Sequence, residues 1–387
     1  MKNRIYLDYA ATSPVLPEVL AEMLPYFNGK FGNPSGVYGT AREARQAVEQ
    51  ARRQVAEAIG AEPGEIYFTS GGSESDNMAI QGIARAASGR GRHIITSRIE
   101  HHAVLNPCRQ LEREGWQVTY LPVDRFGRVS PEDVEKAVTP DTALISIMSA
   151  NNEIGTLEPV GEIGRIAGAH GIPFHTDAVQ AVGCTDVDVR RDNIDLLSLS
   201  AHKIYGPKGT GALYIRRGTR IESLIRGGAQ ERGLRAGTEN TAGIVGLGAA
   251  IRIAKADMAV RTEAIRHLRD RMIRTTLETI PGSCLNGPAE ERLCNNCHFS
   301  FDGVESETLL LRMDLAGVAA SGGSACTSGS TEPSHVLEAI RPGSEKTGGS
   351  IRLTLGRETT EADVDEAVRI MREIVTDLRN LRSVLLK

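Results

Sequence analysis

Lys203 follows an apolar run, Asp195 to Ser200, and enters a Gly-Pro turn within the segment Ser198 to Gly209. A lysine at such a junction is withdrawn from water beside backbone donors. That lowers its pKa and suits it to act as an amine nucleophile. The chemistry that uses it is Schiff-base formation with an aldehyde, and pyridoxal phosphate is the common aldehyde cofactor. In isolation, a lysine in a turn is a solvated surface charge. Here three other segments supply the remaining parts of such a site.

Thr69 to Asn77 reads as a strand end, a Gly71-Gly72 turn and a helix from Ser73. A helix N-terminus offers unpaired N–H groups and the positive end of a dipole, and glycines let an anion approach. The segment is therefore a candidate phosphate cradle, although Ser and Gly also serve as ordinary caps. It has neither the Lys-Ser/Thr ending of a P-loop nor a dinucleotide fingerprint. Phe174 to Gln180 delivers Asp177 at a strand end, with Gln180 three residues on. A carboxylate there can keep a pyridine nitrogen protonated, and Gln180 can donate to the ring oxygen. A helix-capping Asp is the plain alternative. Glu100 to Ala103 places His101 just after a strand, where an imidazole can stack on a ring and move protons. Zinc at His101-His102 is disfavoured, because adjacent histidines diverge and no third ligand stands at helical spacing; no metal site is expected. Cys326 lies among small residues, Gly317 to Ser330. That setting suits an exposed thiol nucleophile better than a packed one.

The elements that must position these groups are legible as a period. Strands read at Ile66–Thr69, His93–Ser97, Val118–Val123, Ala143–Ser149, Pro173–Asp177, Leu196–Ser200 and Gly211–Ile215. Helical stretches read from Ser73, over Ala103–Glu114, Pro131–Val138 and Gly161–His170. Such alternation predicts an α/β fold, a mostly parallel sheet flanked by helices. After a helical tract, Thr241–Ile280, come strands at His298–Phe301 and Ser350–Leu355, a helix at Ser306–Leu315 and a last helix from Glu361. That half reads as a smaller α+β domain, joined by the strand Ile5–Leu7. The expected division is residues 13–255 for the large domain, and 1–12 with 256–387 for the small one carrying the Cys326 loop. A length of 387 residues accommodates two domains. The net charge of −4 argues against nucleic acid as the partner. The basic cluster Arg42 to Arg53, with interleaved Glu, reads as a solvated helix face. The stretch Ala242–Ile251 is too short for a bilayer span, and no apolar leader opens the chain, so no membrane partner is expected. The 6 cysteines lack a disulfide framework, which fits a reducing, cytoplasmic setting.

Ten segments, in order, carry a resemblance: Tyr6 to Thr12, Phe31 to Ser35, Thr69 to Asn77, Glu100 to Ala103, Ser149 to Gly155, His175 to Gln180, Ser198 to Gly209, Arg235 to Thr238, Ser324 to Gly329 and Ser350 to Arg357. Together they resemble the cysteine desulfurases of the NifS/IscS type, within the class V aminotransferases of pyridoxal phosphate fold type I. The Ser324 to Gly329 loop separates desulfurases from transaminases on that fold. The resemblance implies that Lys203 links to the cofactor and shuttles protons, His101 stacks on the ring, Asp177 holds its nitrogen and Gln180 its oxygen. It implies a phosphate site of Gly72, Ser73, Ser200 and His202, with Thr238 donated by the other subunit of a homodimer. Asn152 and Arg352 then hold the carboxylate of L-cysteine, and Cys326 accepts its sulfur as a persulfide, leaving L-alanine. An iron-sulfur scaffold is the expected acceptor, although the chain stops soon after its last helix, without the longer extension some relatives carry.

Two stretches depart from the family. Val37 to Ala41 replaces a His-Ser-Phe-Gly run, which alters the rim of the site. Cys294 stands where Pro is usual and Cys297 where an aliphatic residue is, and with His298 they invite a zinc or redox reading. With four zinc ligands lacking, Cys297 reads as an inward hydrophobe, and Cys108 and Cys184 as packing residues. Selenocysteine lyase, another class V enzyme, and a degenerate binding or regulatory homologue stand as alternatives.

Overall fold

The computed structural model describes residues 4–87, 91–322, 334–341 and 349–385. Its strands are β1 (Ile5–Tyr6), β2 (Ile66–Thr69), β3 (His93–Ser97), β4 (Gln117–Leu121), β5 (Thr142–Ser146), β6 (Phe174–Asp177), β7 (Leu196–Ser200), β8 (Gly211–Ile215), β9 (Ser283–Leu285), β10 (Asn296–Phe301), β11 (Val318–Ala319) and β12 (Gly349–Thr354). Among the described residues, a seven-stranded sheet has the order β2-β8-β7-β6-β5-β3-β4. β8 is antiparallel to both its neighbours, and every other pairing is parallel. β2 to β7 therefore all point one way. The reversal of β8 has a plain cause: only Ala201 to Thr210 connects it to β7, too little chain for a parallel crossover.

Period-two alternation splits each strand between two faces. Ile145, Phe174, Leu197, Leu199 and Tyr214 face a core built with the helices Gly39–Ile59, Val160–His170 and Thr241–Ala256. Ile94, Leu144, Leu196 and Leu213 face a second core under the helices Gly72–Ala86 and His102–Arg113. A third core collects Phe299, Phe301, Ile351, Leu353, Met272 and Met371. It lies between the antiparallel sheet β12-β10-β9 and the helices Met258–Thr279 and Glu361–Leu385. The expected α/β architecture is thus present.

Three details differ from the sequence reading. The tract Thr241–Ile280 is two helices, broken at Asp257. Its carboxylate accepts from Arg261 and pairs with Arg357, which fixes the bend. The strand expected to run to Ser149 ends as β5 at Ser146, yet Ile147 and Ser149 still donate to the carbonyls of His175 (3.1 Å) and Asp177 (2.8 Å). Arg52, read as part of a solvated face, is buried. It makes a bidentate pair with Glu231 (2.8 Å for each bond) and donates to the Ile66 carbonyl. Glu231 also accepts from the Phe68 amide at 2.9 Å.

That pair ties the helix Gly39–Ile59 to β2 and to the chain leading into Arg235. Removing one partner of a buried pair leaves an uncompensated charge, at a cost of about 3–5 kcal/mol. Glu231→Ala is expected to lower the urea unfolding midpoint accordingly. Arg53→Ala, on the exposed side of the same helix, should shift stability by no more than about 0.5 kcal/mol. Equal midpoints for the two variants would refute this assignment.

Candidate functional site

The carboxyl ends of co-directed strands are where an open α/β sheet presents polar groups. β7 ends at Ser200 and runs into a single turn of 3-10 helix, Ala201–Lys203. Tyr205 follows with φ of 65°, a left-handed conformation costly for a non-glycine residue. Three contacts hold it there. Its amide donates to Ser13 Oγ (2.8 Å), its carbonyl accepts from Leu16 N (3.1 Å), and its hydroxyl accepts from Arg357 N (2.7 Å). The turn is thereby fixed, and Lys203 Nζ points back to the N-terminal segment, donating to the carbonyls of Ala10 (2.5 Å) and Ala11 (2.8 Å).

A cavity of about 380 Å³ opens in front of Lys203, within the size range of small-molecule sites. Gly72, Ser73, His101, Asn152, Asp177, Gln180, Ser200, His202 and Arg352 all line it with Lys203. From Gly72 to Arg352 these residues span 280 positions of the chain, and the fold brings them together. Two expected residues stand elsewhere. Thr238 is exposed and does not line the cavity of its own chain. Cys326 lies outside the described residues, four positions after Gly322.

The base of the segment leading to Cys326 is anchored. Ser321 and Arg352 exchange backbone hydrogen bonds, and Arg352 donates through Nη2 to Ser321 Oγ (2.7 Å) and Asp8 Oδ1 (3.1 Å). Arg352 Nη1 donates to the Asn152 carbonyl at 2.9 Å. Asn152 thus meets Arg352 through its backbone. Arg352 Nε is buried with no hydrogen-bond partner among the described residues.

Burial sets the charge state of the site. His101 caps the helix His102–Arg113 by accepting from Ala103 N, and its pKa is pushed down to about 4 by burial and then by the Lys203 charge. His202, 3.2 Å from Thr12 Oγ1, is likewise pushed down to about 4. Both imidazoles are neutral at pH 7. Asp177 Oδ1 accepts from Val179 N at 2.9 Å. Burial raises its pKa to about 6, against the pull of that amide and of Lys203. Gln180 donates to the Ala10 carbonyl at 3.0 Å.

Three lining residues escaped the sequence reading as site groups: Asp76, Glu153 and His335. Asp76 stands inside the Thr69–Asn77 segment, where nothing local marks a polar helix residue as buried. His335 packs 4.8 Å from His102, ring to ring, after a long excursion of chain that no local pattern reveals. Cys297 and Cys108 are buried in apolar clusters, as expected of packing residues; Cys184 is half-buried against two such clusters, and Cys294 is buried in one of them.

The donor set fits a phosphorylated pyridine aldehyde. The helix Gly72–Ala86 has no side-chain cap on its N-terminus, and Ser73, Ser200 and His202 converge there as neutral donors. A Cβ at Gly72 would come 2.6 Å from Val179 Cγ2, so this edge of the cradle is closed to a larger residue. Lysine at a strand end, anion cradle and carboxylate opposite define a pyridoxal phosphate enzyme of fold type I. The family described as Aminotransferase class-V matches residues 5–367, and the chain belongs to it. A relative from Dictyoglomus turgidum, "Cysteine desulfurase IscS", is 55% identical over 381 residues, covering 98% of this chain and 97% of the relative. A solved "NIFS-LIKE PROTEIN" superposes with a TM-score of 0.91 at 38% identity, covering 97% of this chain and 100% of the other. A structure described as "SspA in complex with cysteine" gives a TM-score of 0.81 at 41% identity, covering 90% and 98%.

Overpacking a tight site costs about 1–3 kcal/mol, and 1.4 kcal/mol is a factor of ten. Gly72→Ala is therefore expected to weaken pyridoxal phosphate binding by about tenfold or more, read by cofactor titration of the apoprotein. Unchanged affinity would show that the cradle has room to spare.

Proposed function

We propose that this chain converts L-cysteine to L-alanine and carries the sulfur away as a persulfide on Cys326. The chain is a pyridoxal-phosphate-dependent cysteine desulfurase. The observation that carries the residue-level reading is the single cavity joining Lys203, Asp177 and Arg352, with the segment leading to Cys326 anchored at its rim. The cofactor supplies an aldehyde for Schiff-base chemistry and a ring that takes up electron density from the substrate Cα.

This chain's residues do the rest. Lys203 would hold the cofactor aldehyde, and its amine would carry the α-proton from the substrate Cα and return it before alanine leaves. Asp177 keeps the ring nitrogen protonated, and Gln180 reaches the ring oxygen. Gly72, Ser73, Ser200 and His202 hold the phosphate. Arg352, with Asn152, takes the substrate carboxylate as a charge-assisted pair. The Cys326 thiolate then attacks the substrate sulfur. The Cβ–S bond breaks, an S–S bond forms, and Cβ receives the proton that Cys326 gave up. His101, on the cavity wall beside Asp177, would relay that proton. Burial makes its charged form short-lived, so it passes the proton on.

The finer reading extends to the assembly. Residues 13–255 form the large domain, and 1–12 with 256–387 the small one; the two main apolar cores follow this division apart from Leu293, and a smaller cluster of Ile99, Met148 and Ile154 with Val336, Leu337 and Ile340 bridges it. Thr238, exposed on its own chain, reaches the phosphate of a second copy in a homodimer. The exposed Phe27, Phe31 and Val37 supply apolar surface for that contact. An iron-sulfur assembly scaffold receives the sulfur. A thiol that must accept sulfur needs a reducing compartment, which favours the cytoplasm. Among the described residues, no helix is long and apolar enough to cross a membrane.

Alanine release from L-cysteine tests this reading. Wild type is expected to form alanine, and Cys326 is expected to become one sulfur atom heavier by peptide mass spectrometry. Cys326→Ala should lose at least about a hundredfold in rate, as removing a nucleophile does, while keeping the bound-cofactor absorbance. Lys203→Ala should lose both. Alanine formed at the wild-type rate by Cys326→Ala would exclude Cys326 as acceptor.

A further inference from the structure

Alternation along the strands puts Ser146, His175, Asp177, Ser198 and Ser200 on one face of the sheet, together with Leu144 and Leu196. The helix Gly72–Ala86 lies over that face and inserts Asp76 into it. Asp76 is 1% exposed, and a carboxyl oxygen of it lies within 4.8 Å of a carboxyl oxygen of Asp177 and a ring nitrogen of His101. Asp76 Oδ1 is 3.6 Å from His175 Nε2, beyond hydrogen-bond reach, and has no hydrogen-bond partner among the described residues. His175 is bracketed by two hydroxyls, Ser146 Oγ at 2.8 Å and Ser198 Oγ at 3.0 Å.

Two carboxyl groups this close, both out of water, cannot both be ionised. We propose that Asp76 is a positioning residue that shares one negative charge with Asp177, bearing the proton so that Asp177 is the single carboxylate facing the cofactor. This rests on the reading of Asp177 given above. The asymmetry between the two has visible causes. Asp177 has the Val179 amide and the nearby Lys203 to stabilise its charge. Asp76 has only the Ser198 hydroxyl, while burial and then the Asp177 charge oppose its ionisation. Burial therefore holds the Asp76 carboxyl well above its ordinary range.

The surroundings reinforce the assignment. His175 is fully buried and pushed down to about 3 by desolvation, so it brings no positive charge to Asp76. His101 on the cavity side is neutral. Glu100, below, accepts from Ser97 Oγ (2.7 Å) and Met148 N (3.0 Å), and burial raises it to about 8. Lys203 is thus the cation among the groups that set the titration of this pair, and it acts on Asp177. Removing the Asp177 charge takes away the nearest charge that opposes Asp76, although burial still does, so Asp76 can take over part of the charge.

A double-mutant cycle on the full-length protein tests this, read by the dissociation constant of pyridoxal phosphate and by the absorbance of the bound cofactor. Asp76→Asn replaces a neutral acid by a neutral amide and is expected to change affinity less than about threefold. Asp177→Asn should weaken binding by about tenfold, with Asp76 taking over part of the charge, and the double variant by about a hundredfold. The deeper loss in the double variant should come with an absorbance change absent from either single variant. Far-UV circular dichroism of the apoproteins controls for folding.

A double variant no worse than Asp177→Asn would overturn charge sharing while leaving the Asp177 assignment intact. Loss of affinity in Asp76→Asn as large as in Asp177→Asn would also overturn it, because Asp76 would then be ionised in the wild type. Unchanged affinity in Asp177→Asn would sink the assignment of Asp177, and charge sharing with it.

Discussion

A parallel sheet covered on both faces leaves one place where polar chemistry can be installed, the carboxyl ends of its strands. Every feature of this site follows from that constraint. The face under the helix Gly72–Ala86 is apolar at its near end, with Leu144 and Leu196, and polar two residues further along each strand, with Ser146 and Ser198. The switch is one step of the period-two alternation. Beyond it, buried polar groups must satisfy one another. Ser146, His175 and Ser198 do so in a chain of short hydrogen bonds, and the strand that carries His175 delivers Asp177 two residues on.

The other wall of the cavity comes from the chain ends. Ala10 and Ala11 supply carbonyls to Lys203 and Gln180, while Asp8 and Ser321 engage Arg352. β1 pairs in parallel with β11, so the N-terminal residues and those entering the Cys326 segment share a short ladder. The site therefore assembles only when the most distant parts of the chain have met. Arg352 stands at the centre of that closure, since Asp8, Ser321 and Asn152 converge on one guanidinium. A rigid planar fork can hold three such partners in fixed directions, which a lysine cannot do.

Local pattern made much of this legible. β2, β3, β7 and β8 lie where apolar runs and turn residues put them, because strands buried on both faces leave an unbroken apolar signature. Most of the cavity lining was legible for another reason: Lys203, Asp177, His101 and Gly72 each close a strand or open a helix, so one-dimensional spacing already carries their placement. The reversed β8 leaves no mark in composition, and only the ten residues between the two strand runs, too few for a parallel crossover, point to it. The burial of Arg52 was not legible. Its helix shows alternating charge, and only the distant Glu231 turns one arginine inward. Asp76 escaped for the same reason. A polar residue on a helix reads as solvent-facing until the sheet beneath it proves polar at that point.

The charges inside the cavity have a consequence for its proposed work. Burial keeps His101 and His202 neutral, and Asp8 offsets Arg352, so the cradle at Gly72, Ser73, Ser200 and His202 contains donors but no cation of its own. A phosphate held there relies on oriented dipoles, the helix N-terminus foremost. Such dipoles are fixed by the fold and need no reorganisation when a ligand arrives. Lys203 is then left as the positive group nearest the reacting atoms, next to an Asp177 that desolvation makes easy to protonate. In surroundings this dry, each proton held or released by a neighbouring group weighs heavily on the lysine. Hence the residues behind Asp177, although they touch no substrate, belong to the chemistry as much as to the core.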